Sequence, residues 1–343
     1  MTRFDILKAE LSATPRTWLV TGAAGFIGSH LVEQLLRLGQ TVRGLDNYST
    51  GRKENLDEVK SLVGPAAWSR FTFIEGGICD PSVCWPACVG VDYVLHQAAL
   101  GSIPRSLANP LRSHQSNVDG FVKMLIAARD AKVRRFVYAS SSAVYGDHPA
   151  LPKVEDVVGA PISPYAATKA INENYARVFS RCYDFPTVGL RYFNIFGPRQ
   201  EPNGAYAAVI PLWFKALIEG EEIVVNGDGH TSRDFCYVAD VVQANLLAAA
   251  GHDEAGAHVF NVAVGHRTTL LELIDSIYSA ISRLNWLVAP PRVVHRAERE
   301  GDARHSYADI SRATEFLGYR PTHTLKDGLA ESGAWYYKQI PPI

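Results

Sequence analysis

The chain has 343 residues, about two domains' worth at roughly 150 residues each. Apolar residues make up 47% and charged residues 20%, which excludes a disordered chain, and 27 Gly and 19 Pro without a strict period exclude a collagen-like one. With 34 Lys+Arg against 35 Asp+Glu the net charge is −1, so no global field draws the chain to nucleic acid or an anionic membrane, and any anionic ligand must be held by local groups.

The first fifteen residues carry Asp5, Lys8 and Glu10 and read as a short amphipathic helix, not a secretory signal. No apolar run approaches the ~18 residues needed to span a bilayer. Of five cysteines, Cys79, Cys84 and Cys88 cluster without a CxxC pair or a nearby His. They read as structural thiols, no metal is expected, and the compartment reads as cytoplasmic.

Strands and helices alternate through the first half. Residues 16–21 read as a buried strand, followed by glycines and a helical pattern through Ile27, Leu31, Leu35, Leu36 and Leu38, closed by Gly39. Further strands are expected at Thr41–Asp46, 71–74, Tyr93–His96, 135–140 and 187–191. Repeated βαβ units with right-handed crossovers imply an α/β fold, a doubly wound parallel sheet of Rossmann type. The second half is less regular. Helices are expected at 207–219, 240–250 and 270–284, a strand at Ile223–Asn226, and a return to the sheet at His258–Val262, while 292–302 reads as a charged loop. Two interleaved units result: 1–193 plus 235–262 for a dinucleotide, and a smaller α/β unit from 194–234 plus 263–343 for substrate.

Gly22, Gly25 and Gly28 follow the first strand and open the first long helix. Glycines there permit a tight turn and close approach of backbone to a pyrophosphate, which the helix N-terminus then holds. Asp46 ends the second strand eighteen positions later, where a carboxylate accepts from an adenine-ribose diol. No Arg follows it to meet a 2′-phosphate, so the cofactor reads as NAD and not NADP.

Ser163 and Pro164 form a helix start, placing Tyr165 in the first turn and Lys169 four residues on along the same face. A cation beside a phenol favours its ionised form, which makes Tyr165 a general base near neutral pH. The run Ser140-Ser141-Ser142 leaves a strand at its carboxyl end, where ligands sit in such sheets, and supplies a hydroxyl to bridge Tyr165 and a substrate oxygen.

This constellation resembles the extended short-chain dehydrogenases/reductases, specifically nucleotide-sugar 4-epimerases. The resemblance runs from about Thr17 onward and rests on residues 21–28, Asp46-Asn47, His96-Gln97-Ala98-Ala99, Asn117-Val118-Asp119-Gly120, 140–146, 165–169, Arg191-Tyr192-Phe193-Asn194, Ser232-Arg233-Asp234-Phe235 and Gly301-Asp302. The stretch Leu100-Gly101-Ser102-Ile103-Pro104-Arg105-Ser106, residues 203–210 and the N-terminal extension look like bacterial UDP-N-acetylglucosamine 4-epimerases of polysaccharide pathways.

The resemblance implies Tyr165 as acid/base, Lys169 lowering its pKa and binding the nicotinamide ribose, Ser141 as catalytic hydroxyl and Ser142 assisting. It implies NAD contacts from Gly22, Gly25, Phe26, Ile27, Gly28, Asp46, Asn47, Ile78, Gln97, Ala98, Ala99, Asn117 and Tyr192 besides the pair itself. Substrate contacts fall to Gly101, Ser102, Asn194, Ala208, Val209, Asn226, Asp302 and Ser306 as well as both serines, with Arg233 and Arg299 clamping the UDP pyrophosphate. Guanidinium forks suit that task in a near-neutral protein. A homodimer is the family expectation, with apolar positions on the Tyr165 helix and the helix through Val118 available for a partner.

Three comparisons narrow the reaction. Related 4,6-dehydratases carry Asp-Glu after the catalytic hydroxyl, where this chain has Ser142 and Ala143, so a carboxyl acid and base for eliminating water are missing. Epimerases restricted to unacetylated sugars often have Tyr where this chain has Ser306, and Ser leaves room for a C2 N-acetyl group. Relatives usually read Gly-Asp-Ile near the third strand, with the Asp on adenine; here Gly76-Gly77-Ile78 implies weaker adenine recognition and incomplete NAD occupancy. The expected reaction is reversible C4 epimerisation of UDP-GlcNAc and UDP-GalNAc through a 4-keto sugar. UDP-glucose/UDP-galactose and N-acetylated uronic acid UDP-sugars are the alternatives, and a non-catalytic NAD-binding regulator is the alternative of another class.

Overall fold

The computed structural model describes residues 1–204, 206–251, 258–285, 287–298 and 304–340. Helix α1 (Arg3–Ala13) opens the chain with a reciprocal cap between Thr2 and Asp5 and buries Leu7 and Leu11. There follow β1 (Thr17–Thr21), α2 (Phe26–Arg37), β2 (Thr41–Asp46), α3 (Lys53–Trp68), β3 (Phe71–Glu75), α4 (Pro81–Cys88), β4 (Tyr93–His96) and the short helices α5 (Ile103–Ala108) and α6 (Pro110–His114). A π-helical turn at Gln115–Asp119 leads into α7 (Gly120–Asp130), then β5 (Arg135–Ser141), α8 (Pro164–Tyr183) and β6 (Thr187–Tyr192).

Beyond β6 the elements shorten. They are β7 (Ile195–Phe196), α9 (Val209–Glu219), β8 (Ile223–Asn226), β9 (Ser232–Arg233), β10 (Cys236–Tyr237), α10 (Val238–Ala250), β11 (His258–Val262), β12 (Thr268–Thr269), α11 (Leu270–Ser282), β13 (Val293–Arg296), β14 (His305–Ser306) and α12 (Leu325–Gln339). The charged stretch expected as loop therefore contains a strand, β13, parallel to β8. Its Val293-Val294 pair is β-branched and finds an open strand edge, which local charge patterning does not reveal. Each of the five cysteines is free, and Cys84 and Cys88 are buried.

Seven strands form one parallel sheet in the order β11-β6-β5-β4-β1-β2-β3. Strand residues alternate between its two faces. Trp18, Val20, Leu95, Val137 and Val188 join a core with Leu31, Leu35, Val241 and Leu246 of α2 and α10. Their neighbours Leu19, Val94 and Phe136 join Phe121, Met124, Ala176 and Phe179 of α7 and α8 on the other face. A third core gathers α9, α11 and α12 around Phe214, Leu273, Ile277 and Tyr336. The sheet order reverses where β1 lies between β2 and β4, and in such sheets the crevice at that switch point takes the ligand.

Candidate active site

The glycine turn after β1 divides its labour. Gly22 has φ 69°, and a Cβ on it would stand 2.9 Å from the Ala98 backbone nitrogen. A Cβ on Gly28 would lie 2.0 Å from the Gly22 carbonyl oxygen, so Gly28 lets α2 pack against the turn. Around Gly25 the nearest atom to such a Cβ is the Gly22 carbonyl at 3.1 Å, and Gly25 lines the crevice. Its missing side chain leaves the approach to the α2 N-terminus open, the cradle a pyrophosphate needs.

That crevice is lined by Gly22, Gly25, Asp46, Asn47, Ile78, Gln97, Ala98 and Ala99. Asp46 is buried and accepts from the Ala24 amide at 3.0 Å and the Tyr48 amide at 2.8 Å. Burial pushes its carboxyl above the usual range, against the pull of those amides. A diol donating to it would restore the hydration it has lost, so the residues present fit an NAD adenosine. Phe26, Ile27 and Gly28 begin α2 behind the crevice.

Two predicted cofactor residues serve as struts. Asn117 accepts from the Leu100 amide at 2.7 Å and donates to the Leu100 carbonyl and to Thr168 Oγ1, tying the loop after β4 to α8. Tyr192 donates to Gln97 Oε1 at 3.1 Å, Asn245 Nδ2 donates to Tyr192 Oη at 2.8 Å, and Gln97 Nε2 donates to Asn245 Oδ1 at 3.0 Å. This closed triangle fixes Gln97 at the crevice wall. Asn245 of α10 was not singled out in sequence, because nothing in a regular helix marks one polar residue as facing the sheet.

Ser163 caps α8 by accepting from the Ala166 amide at 3.1 Å, and Pro164 follows, as the sequence predicts. The Tyr165 amide donates to Ser106 Oγ at 3.1 Å, so α5 also holds the first turn. Ser141, at the end of β5, comes near enough to the Tyr165 phenol for its hydroxyl to act on it. Lys169 is 4% exposed, and its ammonium donates to the Ala139 carbonyl at 2.7 Å and lies 5.9 Å from the Tyr165 ring centre. Burial pushes the Tyr165 phenol up, with the Ser141 hydroxyl pulling it back. The predicted lowering by Lys169 is thus not what sets the phenol here: the ammonium is directed at the strand carbonyl. Burial in turn lowers Lys169 to about 8, opposed by Glu173. Ser142 begins the turn after β5.

A second cavity brings together Asn194, Val209, Asn226 and Arg233, with Ala208 capping α9 beside Val209. Trp213, Phe235 and Leu270 give it an apolar wall, a slot suited to a flat ring, and Arg304 adds a second guanidinium at its rim. Arg304 pairs with Asp228 at 2.6 Å. Neither the aromatic wall nor Arg304 was singled out in sequence, since they come from separate elements that only folding joins. Gly101 and Ser102 stand at the start of α5, Ser102 capping it, outside both cavities. Ser306 lies on β14, in register with Arg233 on β9. Arg299 and Asp302 lie outside the described residues.

Asp234 holds this wall together. It is fully buried and accepts from the amides of Val264, Gly265 and Ala308 at 2.9, 3.0 and 3.3 Å. Burial raises its carboxyl to about 6. Among the described residues no cluster of His, Cys, Asp and Glu is arranged to hold a metal, and no helix is long and apolar enough to cross a membrane.

A parallel sheet with a glycine cradle at its switch point and a Ser-Tyr-Lys group beyond β5 defines a nucleotide-dependent oxidoreductase-type centre. The chain belongs to the NAD dependent epimerase/dehydratase family, whose profile matches residues 18–263, and its cofactor is NAD. It is 38% identical to the UDP-glucose 4-epimerase of Mycolicibacterium smegmatis over 316 residues, 92% of this chain and 96% of that protein. It is similar to the structure of UDP-N-acetylglucosamine 4-epimerase from Methanobrevibacter ruminantium M1 in complex with UDP-N-acetylmuramic acid, with a TM-score of 0.86, 38% identity and coverage of 95% and 99%. It also resembles UDP-glucuronic acid 4-epimerase from Bacillus cereus in complex with UDP-glucuronic acid and NAD, with a TM-score of 0.82, 29% identity and coverage of 94% and 99%.

Proposed function

We infer that this chain is an NAD-dependent UDP-sugar 4-epimerase whose substrates are UDP-GlcNAc and UDP-GalNAc. The observation that carries the epimerase reading is the buried Lys169 one turn from Tyr165 on α8, with Ser141 at the end of β5 near enough for its hydroxyl to pull the phenol down. NAD held by Gly22, Gly25 and Asp46 would supply the acceptor, and then the donor, of the C4 hydride. Tyr165 receives the O4 proton and later returns it, while Ser141 keeps a hydrogen bond on the same oxygen. Lys169 compensates the phenolate that forms. Arg233, Asn194 and Asn226 hold the UDP portion, and the Trp213 wall takes the uracil face. Net redox change is zero, so every device that retains NAD, from Gly25 to Asp46, belongs to turnover.

Ser306 supports the N-acetylated pair. It stands beside Arg233 in the strand register, though outside the lining of the second cavity, and serine at that position takes less room than tyrosine would. The 38% identity to a UDP-N-acetylglucosamine 4-epimerase points the same way, while the UDP-glucose and UDP-glucuronic acid epimerases among the relatives define the competing substrates. We assign residues 1–193 with 235–262 to the NAD unit and 194–234 with 263–343 to the sugar-nucleotide unit. The separate core of α9, α11 and α12 favours that division.

A homodimer is supported by exposed Tyr175 and Val178 on α8, Ile126 on α7, and Leu107 and Leu111 beside them, an apolar face of the kind two copies bury between them. Sedimentation of the purified protein tests this. The substrate reading is tested by incubating the NAD-loaded protein with UDP-GlcNAc, UDP-glucose and UDP-glucuronic acid in parallel and following the products by NMR. UDP-GalNAc should form fastest; turnover of only the unacetylated or acidic sugar would overturn the specificity, and no turnover at all would overturn the enzyme.

A further inference from the structure

Under the catalytic group lies a buried ion pair that the reaction as described leaves unused. Ser140 and Arg191 are register partners on β5 and β6, and both reach Glu173 of α8. Glu173 Oε1 accepts from Ser140 Oγ at 2.5 Å and from Arg191 Nε at 2.9 Å, and Oε2 accepts from Arg191 Nη2 at 2.8 Å. Arg191 Nη1 donates to the Glu155 carbonyl at 2.9 Å, and its guanidinium lies 4.8 Å from the Tyr145 ring centre. All three side chains of the cluster are buried. Glu173 follows Lys169 by four residues, one helical turn along the same face. Ser140 directly precedes Ser141.

A buried pair of this kind adds little to stability over well-packed apolar residues, so its position calls for another reason. We propose that Glu173 is a positioning residue for the catalytic group: clamped by Arg191, its carboxylate fixes the end of β5 that presents Ser141, and its charge holds Lys169 as an ammonium one turn away. The other ionisable groups facing this cluster are Tyr165 and Arg177 on α8, Tyr138 on β5, Tyr145 after it, His96 on β4 and, on the Arg191 side, the buried Glu155 with Asp156; the segments from Ile103 to Asp130 that pack on α8 keep their ionisable groups exposed or half-buried. His96 is held neutral by burial and by Lys169 itself, which leaves Glu173 as the negative charge opposing the cost of burying that ammonium. This inference rests on the reading of the site as an epimerase centre.

The test compares Glu173→Gln and Ser140→Ala with the parent in NAD-loaded protein, using whichever UDP-sugar the parent turns over, from pH 6 to 9. Glu173→Gln removes the charge and should lower kcat about tenfold at pH 8, with the loss shrinking toward pH 6 as Lys169 regains its proton, and with KM unchanged. Ser140→Ala keeps the charge and should lower kcat several-fold by a factor independent of pH. A folded Glu173→Gln protein whose loss is the same at every pH, or falls on KM alone, overturns the proposal. Should Glu173→Gln fail to fold, unchanged kcat in Ser140→Ala overturns it instead. If no UDP-sugar is turned over by the parent, the epimerase reading fails, a different outcome from a flat pH profile.

Discussion

Ser306 on β14 and Arg233 on β9 stand opposite each other in a parallel strand pair, so the residue proposed to gate the sugar is fixed to the residue proposed to hold its diphosphate. Asp234, next in the chain, bonds the Ala308 amide, so the two strands hold a common spacing. Bulk added at 306 therefore cannot be relieved by the wall drifting away from the clamp. Ser306→Tyr should lower kcat/KM for UDP-GlcNAc by roughly 10- to 100-fold, the range expected when a pocket rejects a group by shape, and leave UDP-glucose within a few-fold. Equal losses for both sugars would remove the gate.

Gly77 lines the NAD crevice, and a Cβ there would meet only Asn47 Nδ2 at 3.4 Å, an ordinary contact. A carboxylate is therefore accommodated where the chain lacks one. Gly77→Asp should tighten NAD by about tenfold, the contribution of one charge-assisted hydrogen bond, seen as a higher bound fraction after gel filtration. Unchanged retention would mean the adenine lies elsewhere.

Lys169 has its pKa lowered from 10.5 to about 8 by burial. The folded chain then binds fewer protons than the unfolded one between those values, so stability rises with pH across that window and the whole penalty is present below it. Lys169→Met should stabilise the cofactor-free protein at pH 7 by up to about 3 kcal/mol in denaturant unfolding, and abolish turnover. That gain should shrink as pH rises from 8 to 10.5. The same gain at pH 7 and pH 10 would show that packing, not charge, caused it.

Gly28 presents the reverse of Gly77. Its hypothetical Cβ falls 2.0 Å from the Gly22 carbonyl oxygen, a backbone atom that has no rotamer to change. Gly28→Ala should cost roughly 1–3 kcal/mol of stability, as overpacking does, and weaken NAD because α2 is pushed off the cradle. A variant with the parent's melting temperature and NAD retention would contradict this packing.

Much of the sheet was legible because its signals are local. Buried parallel strands are short apolar runs, and β1, β2, β4 and β6 announce themselves that way; the cap at Ser163-Pro164 and the glycine spacing after β1 are set by neighbours a few residues apart. Strand β13 was not legible, because a two-valine stretch in a charged segment becomes a strand only when β8 offers it an edge. The candidate site divides along the same line. Asn117, Gln97 and Tyr192 can be picked out by motif, yet whether such side chains face a ligand or brace the wall depends on Leu100, Thr168 and Asn245, which are distant in sequence.

By itself the sequence determined the order of the elements, the helix that carries Tyr165 and Lys169 on one face, and the glycines that admit a pyrophosphate, since each follows from backbone sterics and spacing within a turn or two. Only the tertiary structure decided the ionisation of that pair. Burial lifts the phenol and lowers the ammonium, and Ser141 on β5 and Glu173 on the next turn of α8 oppose those shifts. Desolvation depends on everything packed around a group, and no spacing along the chain encodes it.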